Sequence, residues 1–352
     1  MTTTSICPRC KLRSFAAVAA SIALAIALSA MLGVGQSHAS ELKASTSITV
    51  KTQAAAKGST YALLAKDGYL YPCNSKGKKL AKAWDAYSAN KVYRVTKLFV
   101  AANATKVPNK ARYREYYKYS RKTGKRSYSL SSLGKMKNVT FLTKAGKSSC
   151  KSIAASAFSY RSSLKTLTNF GKTRVTSIGK SAFSHSGLKK VSLPSTLKTI
   201  GNSAFSTCKS LKTVSGLEKT RITSVSDYAF YRCAIKSIAF PNTLKSIGTW
   251  AFSDCNALTS VTLPATTTKL GDGAFQNCSA LSTLTMKSAS MVTRSDGVAG
   301  KMDYVIKGAK VADTNTSSAA YIYVPASLLA SYQADSITNP WRTYRTKFRA
   351  IV

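Results

Sequence analysis

The sequence predicts a repeat solenoid, mainly β with short helical or 3-10 returns, and three observations predict it. An Ala-Phe pair recurs at Ala157-Phe158, Ala182-Phe183, Ala204-Phe205, Ala229-Phe230, Ala251-Phe252 and Ala274-Phe275, with the phenylalanines 25, 22, 25, 22 and 23 residues apart. The same frame precedes several pairs: Ile178-Gly179, Ile200-Gly201 and Ile247-Gly248. A Leu/Ile-x-x-Val/Ile/Leu unit then follows, as in Leu188-Lys189-Lys190-Val191, Leu211-Lys212-Thr213-Val214 and Leu258-Thr259-Ser260-Val261, often running on to Leu193-Pro194, Phe240-Pro241 or Leu263-Pro264. A single unit of this length cannot bury its own apolar residues, so the stable solution stacks coils around one continuous core. Six units exceed the minimum of about three. The apolar-x-x-apolar-x-apolar stretch reads as one short strand per coil in a parallel ladder, and Ala-Phe as the tight return.

Ahead of the repeats, Met1 to Arg13 carries Arg9, Lys11 and Arg13, and an uncharged Ala/Leu/Ile-rich run extends from Ser14 to about Val34. This order, followed by Ser37-His38-Ala39, reads as a secretory signal peptide over 1–39 with cleavage after Ala39. An uncleaved anchor is the alternative, since the run approaches the roughly 20 residues that span a bilayer. Cys7-Pro8-Arg9-Cys10 falls in this segment and has no second pair to complete a metal site. Residues 40–130 read as a basic, β-rich region: Asp67-Gly68 between Tyr61-Ala62-Leu63-Leu64 and Tyr69-Leu70-Tyr71 is a hairpin signal, and Lys122-Thr123-Gly124-Lys125 is a second turn.

The solenoid is placed at 131–286. Its 25 and 22 steps sum to a 47-residue superperiod, visible where Gly171-Lys172-Thr173-Arg174-Val175-Thr176-Ser177 returns as Glu218-Lys219-Thr220-Arg221-Ile222-Thr223-Ser224. Gly171-Lys172-Thr173 is therefore repeat sequence and not the end of a phosphate-binding loop, which would need glycine where Thr166 stands. Residues 287–320 show no clear periodicity and read as a loop, and 321–352 as a C-terminal strand and helical cap. Trp341, Tyr344 and Phe348 recur at helical spacing with Arg342, Arg345 and Arg349 on another face, which predicts an amphipathic helix. Its expected role is to cover the last coil, since solenoids need capping; a membrane-surface helix is the alternative.

The frame Ile-Gly-x-x-Ala-Phe-x-x-Cys-x-x-Leu-x-x-Val-x-Leu-Pro resembles the BspA-type leucine-rich repeats of bacterial surface proteins. The resemblance covers about 150 to 286, and Ile322-Tyr323-Val324-Pro325-Ala326-Ser327-Leu328 with Tyr332 and Trp341 resembles the terminal segment of such arrays. It implies a right-handed leucine-rich-repeat coil and a surface or secreted protein, some relatives being linked to adhesion to host components. Arg161 and Ser186 at the cysteine position and the lysine-rich 41–130 depart from the pattern.

Cys208, Cys233, Cys255 and Cys278 each follow a repeat phenylalanine by three residues, so they form one column with Phe158, Phe183, Phe205, Phe230, Phe252 and Phe275 as structural core. Buried free cysteine behaves as a small apolar residue, which favours packing over a metal or redox ladder. Outside the column, Cys73 and Cys150 are the plausible disulfide pair. His185 is the histidine left after the predicted cleavage, it lies in a turn, and the carboxylates are scattered without an acid/base pair. Proton transfer needs groups that titrate near working pH, no serine sits in a nucleophile elbow, and no cofactor or metal motif is present, so an enzyme is not expected.

The chain holds 53 Lys and Arg against 12 Asp and Glu, a formal +41. Such a charge favours polyanionic partners and says nothing about fold. The expected partner is an extracellular protein, a glycan or an anionic cell-wall polymer, with nucleic acid bound only non-specifically, no metal, and a monomeric chain. Two groups of cations are candidates for the contact. Lys165, Lys189, Lys212 and Lys236 hold one position in four successive repeats, with Lys190 beside them, and should form a file along the strands. Arg112, Arg114, Lys118, Arg121, Lys122, Lys125 and Arg126, interleaved with tyrosines, are expected to extend it. The lysines could equally serve only to keep the sheet soluble and protect it from edge pairing. The leading expectation is a secreted or cell-surface binding protein mediating macromolecular interaction or adhesion. The alternative is a cationic envelope protein held on the producer's own anionic cell-wall polymers. No sorting signal or lipobox is seen, so covalent anchoring is not expected.

Overall fold

Each coil contributes two short strands, and successive coils align them into two parallel ladders. The computed structural model describes residues 60–64, 66, 70–73, 75–76, 78, 84–85, 95–108, 110–116, 124–129, 136–294, 302–313, 320–336 and 338–352. The front ladder is three successive sheets: Thr60–Leu64, Val95–Val100, Asn138–Phe141 and Thr166–Thr168 lie in the first, and Lys190–Ser192 and Thr213–Ser215 form the second. The third holds Ser237–Ile238, Ser260–Leu263, Thr283–Met286, Tyr321–Val324 and Phe348–Ala350. The second ladder is two sheets, one of Lys106–Val107, Ser152–Ile153, Ser177–Ile178 and Thr199–Ile200, the other of Ser224–Val225, Ser246–Ile247, Lys269–Leu270 and Thr293–Arg294.

Strand alternation sets which residues enter the core. In Ser260–Leu263 the order is exposed, buried, exposed, buried, and Val261 and Leu263 point inward. The returns then place alanine and phenylalanine inside. Phe158, Phe183, Phe205, Phe230, Phe252 and Phe275 are fully buried and stack in succession at 5.4, 5.2, 5.4, 5.3 and 5.5 Å between ring centroids. The frame glycine reflects close packing of coils: a Cβ on Gly201 would lie 2.7 Å from the backbone nitrogen of Lys180. No side chain fits there.

The cysteine column has a hydrogen-bonding reason. Cys208, Cys233, Cys255 and Cys278 are buried free thiols, and their sulfurs donate to the carbonyls of Phe183, Phe205, Phe230 and Phe252 in the preceding coil at 3.1, 3.2, 3.2 and 3.1 Å. A small side chain with one donor fills the gap and satisfies a buried carbonyl. Ser186 takes the equivalent position, buried, with its hydroxyl 3.2 Å from Cys208 Sγ. Cys73 and Cys150, the expected disulfide candidates, are both buried and not joined in a disulfide.

The flanks differ from expectation in three places. The parallel ladder does not start with the repeats: Thr60–Leu64 pairs parallel with Val95–Val100, and that strand with Asn138–Phe141, so part of the basic N-terminal region stacks as coils that lack the Ala-Phe frame. Thr60–Leu64 pairs antiparallel with Leu70–Pro72, as the hairpin signal predicts, while Asp67-Gly68 lies outside the described residues. Residues 287–320 are not a plain loop; they contribute Thr293–Arg294 and 3-10 turns at Met302–Tyr304 and Lys310–Ala312, with Val292, Met302, Val305, Ile306 and Val311 buried. Irregular spacing hid this coil.

The predicted C-terminal amphipathic helix is also corrected. Arg342–Lys347 is a 3-10 segment, and Phe348 and Arg349 belong to a strand paired parallel with Tyr321–Val324. Backbone pairing to the open ladder edge outweighs the helical spacing of three aromatics. Those aromatics still cover the array: Trp341 and Phe348 are fully buried with Tyr332, Trp341 Nε1 donates to the Val292 carbonyl at 2.8 Å, and the Val292 N–H donates to the Tyr332 hydroxyl at 2.7 Å.

Candidate functional site

The lysine file is built by the backbone. Lys189 N donates to Lys165 O, Lys212 N to Lys189 O and Lys236 N to Lys212 O, at 3.4, 2.9 and 3.4 Å. The same ladder reaches one residue beyond the predicted set, because Lys165 N donates to Lys137 O at 2.8 Å. Lys137, Lys165, Lys189, Lys212 and Lys236 therefore stand on five consecutive rungs, all exposed. Adjacent rungs are about 4.8 Å apart. Among the described residues none of the five is ion-paired with a carboxylate; the contact made is Lys165 Nζ donating to Ser162 O at 3.0 Å. Lys137 was readable in the sequence: Met136-Lys137-Asn138-Val139 repeats the Leu-x-x-Val unit with methionine leading.

Beside the file run the outward strand positions. Lys190 pairs in register with Thr213 and Ser192 with Ser215; Ser237, Ser260 and Thr283 align, as do Thr262 and Thr285. The rows reach Tyr321 and Tyr323, and the second continues to Arg349, whose guanidinium sits 4.3 Å from the Tyr321 ring centroid.

The second ladder offers a comparison within one molecule. Thr176 N donates to Lys151 O, Lys198 N to Thr176 O, Lys245 N to Thr223 O and Thr268 N to Lys245 O. Lysine and threonine thus alternate from Lys151 to Lys198 and from Thr223 to Thr268, but Lys269 N also donates to Lys245 O at 3.3 Å, so one pair of lysines meets on neighbouring rungs there. Like charges on neighbouring rungs are unfavourable within a screening length of about 8 Å. On the second ladder Thr176 intervenes between Lys151 and Lys198; on the front ladder no residue intervenes between successive members of the five.

The expected extension through Arg112 to Arg126 follows a different path. Lys110–Tyr116 and Gly124–Ser129 form an antiparallel hairpin, but they belong to a sheet with Trp84–Asp85, separate from the ladder that carries the lysines. Arg112, Arg114, Lys125 and Arg126 lie on those strands; their side chains, and Lys118, Arg121 and Lys122 altogether, lie outside the described residues.

His185 is exposed at a left-handed backbone position and stacks on Tyr160 at 4.5 Å. Burial pushes the Cys255 thiol up to about 12 and the Cys150 thiol to about 11, and raises those of Cys233 and Cys278. Among the described residues no group of three His, Cys, Asp or Glu side chains is placed to hold a metal ion, and no helix is long and apolar enough to cross a membrane.

Residues 126–224 and 223–298 match the profile of the BspA type leucine rich repeat region, in six copies. No curated protein matches the chain. Among solved structures, the chain is similar to a leucine rich cell surface protein from Faecalibacterium prausnitzii A2-165, at 21% identity over 67% of this chain and 71% of that one, with a TM-score of 0.38. It is similar to the Treponema pallidum leucine rich repeat protein at 25% identity over 46% and 70%, TM-score 0.31. A leucine-rich repeat protein from Eubacterium ventriosum ATCC 27560 shares 18% over 64% and 69%, TM-score 0.32.

Proposed function

Residues 126–298 belong to the BspA-type leucine-rich repeat family, and from that premise we propose that the protein is a non-catalytic binding protein of the bacterial surface or surroundings whose front ladder holds an anionic polymer. One observation carries this reading: five exposed lysines on consecutive rungs without a carboxylate partner, where the other ladder interposes Thr176 between Lys151 and Lys198 and joins a single lysine pair, Lys245 and Lys269. A chain that needed charge only for solubility had the alternating arrangement available. An extended polyanion neutralises closely spaced lysines along its length and releases its own counterions in doing so. The hydroxyl rows at Ser192, Ser215, Ser260 and Thr262 supply donors next to the charge. Such a contact serves either attachment to a foreign surface or retention on the producer's own envelope polymers.

Replacing Lys137, Lys165, Lys189, Lys212 and Lys236 together by Gln tests it. Thermal stability should stay the same or rise, because repulsion is removed, while affinity for heparin and for teichoic acid falls and its dependence on salt flattens. Parent-like binding of both polymers at every ionic strength would exclude the front ladder as the site. The same proposal places the protein outside the cell, so the exported form should begin near Ser40. Mass spectrometry of exported protein that still carries the segment Met1 to Ala39 would instead establish an uncleaved anchor.

A further inference from the structure

The return side of the array carries its own irregularity. Two left-handed positions per coil turn the chain back toward the second ladder. The first is Ser156, Ser181 and Ser203 in three coils, then Tyr228, Trp250 and Gly273. Backbone hydrogen bonds keep them in one column: Ser203 N to Asp227 O, Tyr228 N to Thr249 O and Trp250 N to Asp272 O, each 2.9 Å. The position after the phenylalanine is likewise Ser159, Ser184, Ser206 and Ser253 in four coils, with Tyr231 interrupting the series and Gln276 ending it.

The fold does not require these aromatics. A bulky residue at positive φ is a conformational outlier, yet Tyr228 and Trp250 both sit at φ 55°, where Ser156, Ser181 and Ser203 serve in three other coils. Their rings are not buried as compensation. Tyr228 is 39% exposed, and Tyr231 and Trp250 are partly exposed. Tyr228 and Trp250 stack at 6.1 Å, with Tyr231 edge-on to both at 5.7 and 6.4 Å. Ser203, next to Tyr228 in the column, is too short to cover the ring.

Polar groups flank this platform. Arg232 lies 4.9 Å from the Tyr231 ring centroid and pairs with Asp254 at 3.3 Å, and Asp254 also accepts from Asn277 Nδ2 at 3.0 Å. Arg232 and Asp254 also line a cleft of about 580 Å³ with Lys209 and Asn256. With Asp227, Asp254 and Asp272 in these coils, a patch close to neutral stands on a chain of formal charge +41. A polyanion gains nothing here. An uncharged sugar does: the C–H face of a pyranose stacks on an aromatic ring, while its hydroxyls take the fixed carboxylate, guanidinium and amide groups beside it.

We propose that Tyr228, Tyr231 and Trp250, with Arg232 and Asp254, form a binding site for neutral pyranose oligosaccharides, separate from the lysine file. Cellohexaose, chitohexaose and mannohexaose are the probes, titrated against the full exported chain by calorimetry up to about 10 mM, which reaches the weak end of specific affinity. At least one should bind, with an affinity insensitive to sodium chloride. Tyr228→Ser with Trp250→Ser writes the residue that Ser181 and Ser203 already supply at this backbone position, so the variant should melt at or above the parent temperature while affinity drops roughly tenfold or more, about 1.4 kcal/mol. Tyr228→Phe should retain binding, because the ring face is kept. Failure of all three sugars to bind, or undiminished binding by the double variant, overturns the proposal. The lysine-to-glutamine variant should bind the sugar normally, so this site and the polyanion site succeed or fail separately.

Discussion

Phe230→Ala should cost about 3–5 kcal/mol of unfolding free energy, the range for truncating a fully buried phenylalanine. Phe230 is completely buried and stacks between Phe205 at 5.4 Å and Phe252 at 5.3 Å. Its removal loses apolar burial, leaves a cavity in a column that cannot collapse without shifting the coils, and deletes two ring contacts of about 0.5–1.5 kcal/mol each. Phe158→Ala is the comparison, since Phe158 stacks on one repeat phenylalanine, Phe183, and its loss should cost less. Equilibrium unfolding in urea measures both. A cost below about 1 kcal/mol for Phe230→Ala would contradict a continuous stacked core.

Cys233, Cys255 and Cys278 should make the protein lose stability in alkali. Burial raises the thiols of Cys233, Cys255 and Cys278 above the ordinary thiol value of 9.0, Cys255 to about 12. Once unfolded, a thiol ionises near its ordinary value; in the folded coil it stays protonated and bonded to a phenylalanine carbonyl. The sign follows: this stability is fully present below pH 9 and is lost as pH rises toward 12, by about 1.4 kcal/mol per pH unit for each thiol. Denaturant unfolding between pH 8 and 11 should therefore show a steeper decline for the parent than for Cys233→Ser/Cys255→Ser/Cys278→Ser, whose hydroxyls do not ionise there. Ser186 shows that the column accepts serine. Equal declines would mean that these thiols are solvated in the native protein, and rapid modification of all four column cysteines by a thiol reagent at pH 8 would say the same.

Periodicity determined the coil. Because Phe158 to Phe275, the column cysteines, the Ile-Gly frame and Lys165 to Lys236 recur at matched offsets, one stacking rule places each set in a column, and equivalence in sequence becomes adjacency in space. Lys137 followed the same rule behind a methionine. Where the period lapses, only tertiary contacts decide. Phe348 spaces like a helix residue but completes the open edge of the front ladder. Val292, Met302 and Val311 build a coil that no repeat announces, because the exposed end of a solenoid core accepts any chain that buries apolar surface and pairs the edge. Arg112 to Arg126 is dense in charge, but its hydrogen bonds join it to another sheet. The aromatic cluster shows both sides of this division. Tyr228, Tyr231 and Trp250 are visible as departures from serine once the repeats are aligned, but the positive φ that makes two of them costly, and the coil spacing that brings all three rings together, exist only in the folded array.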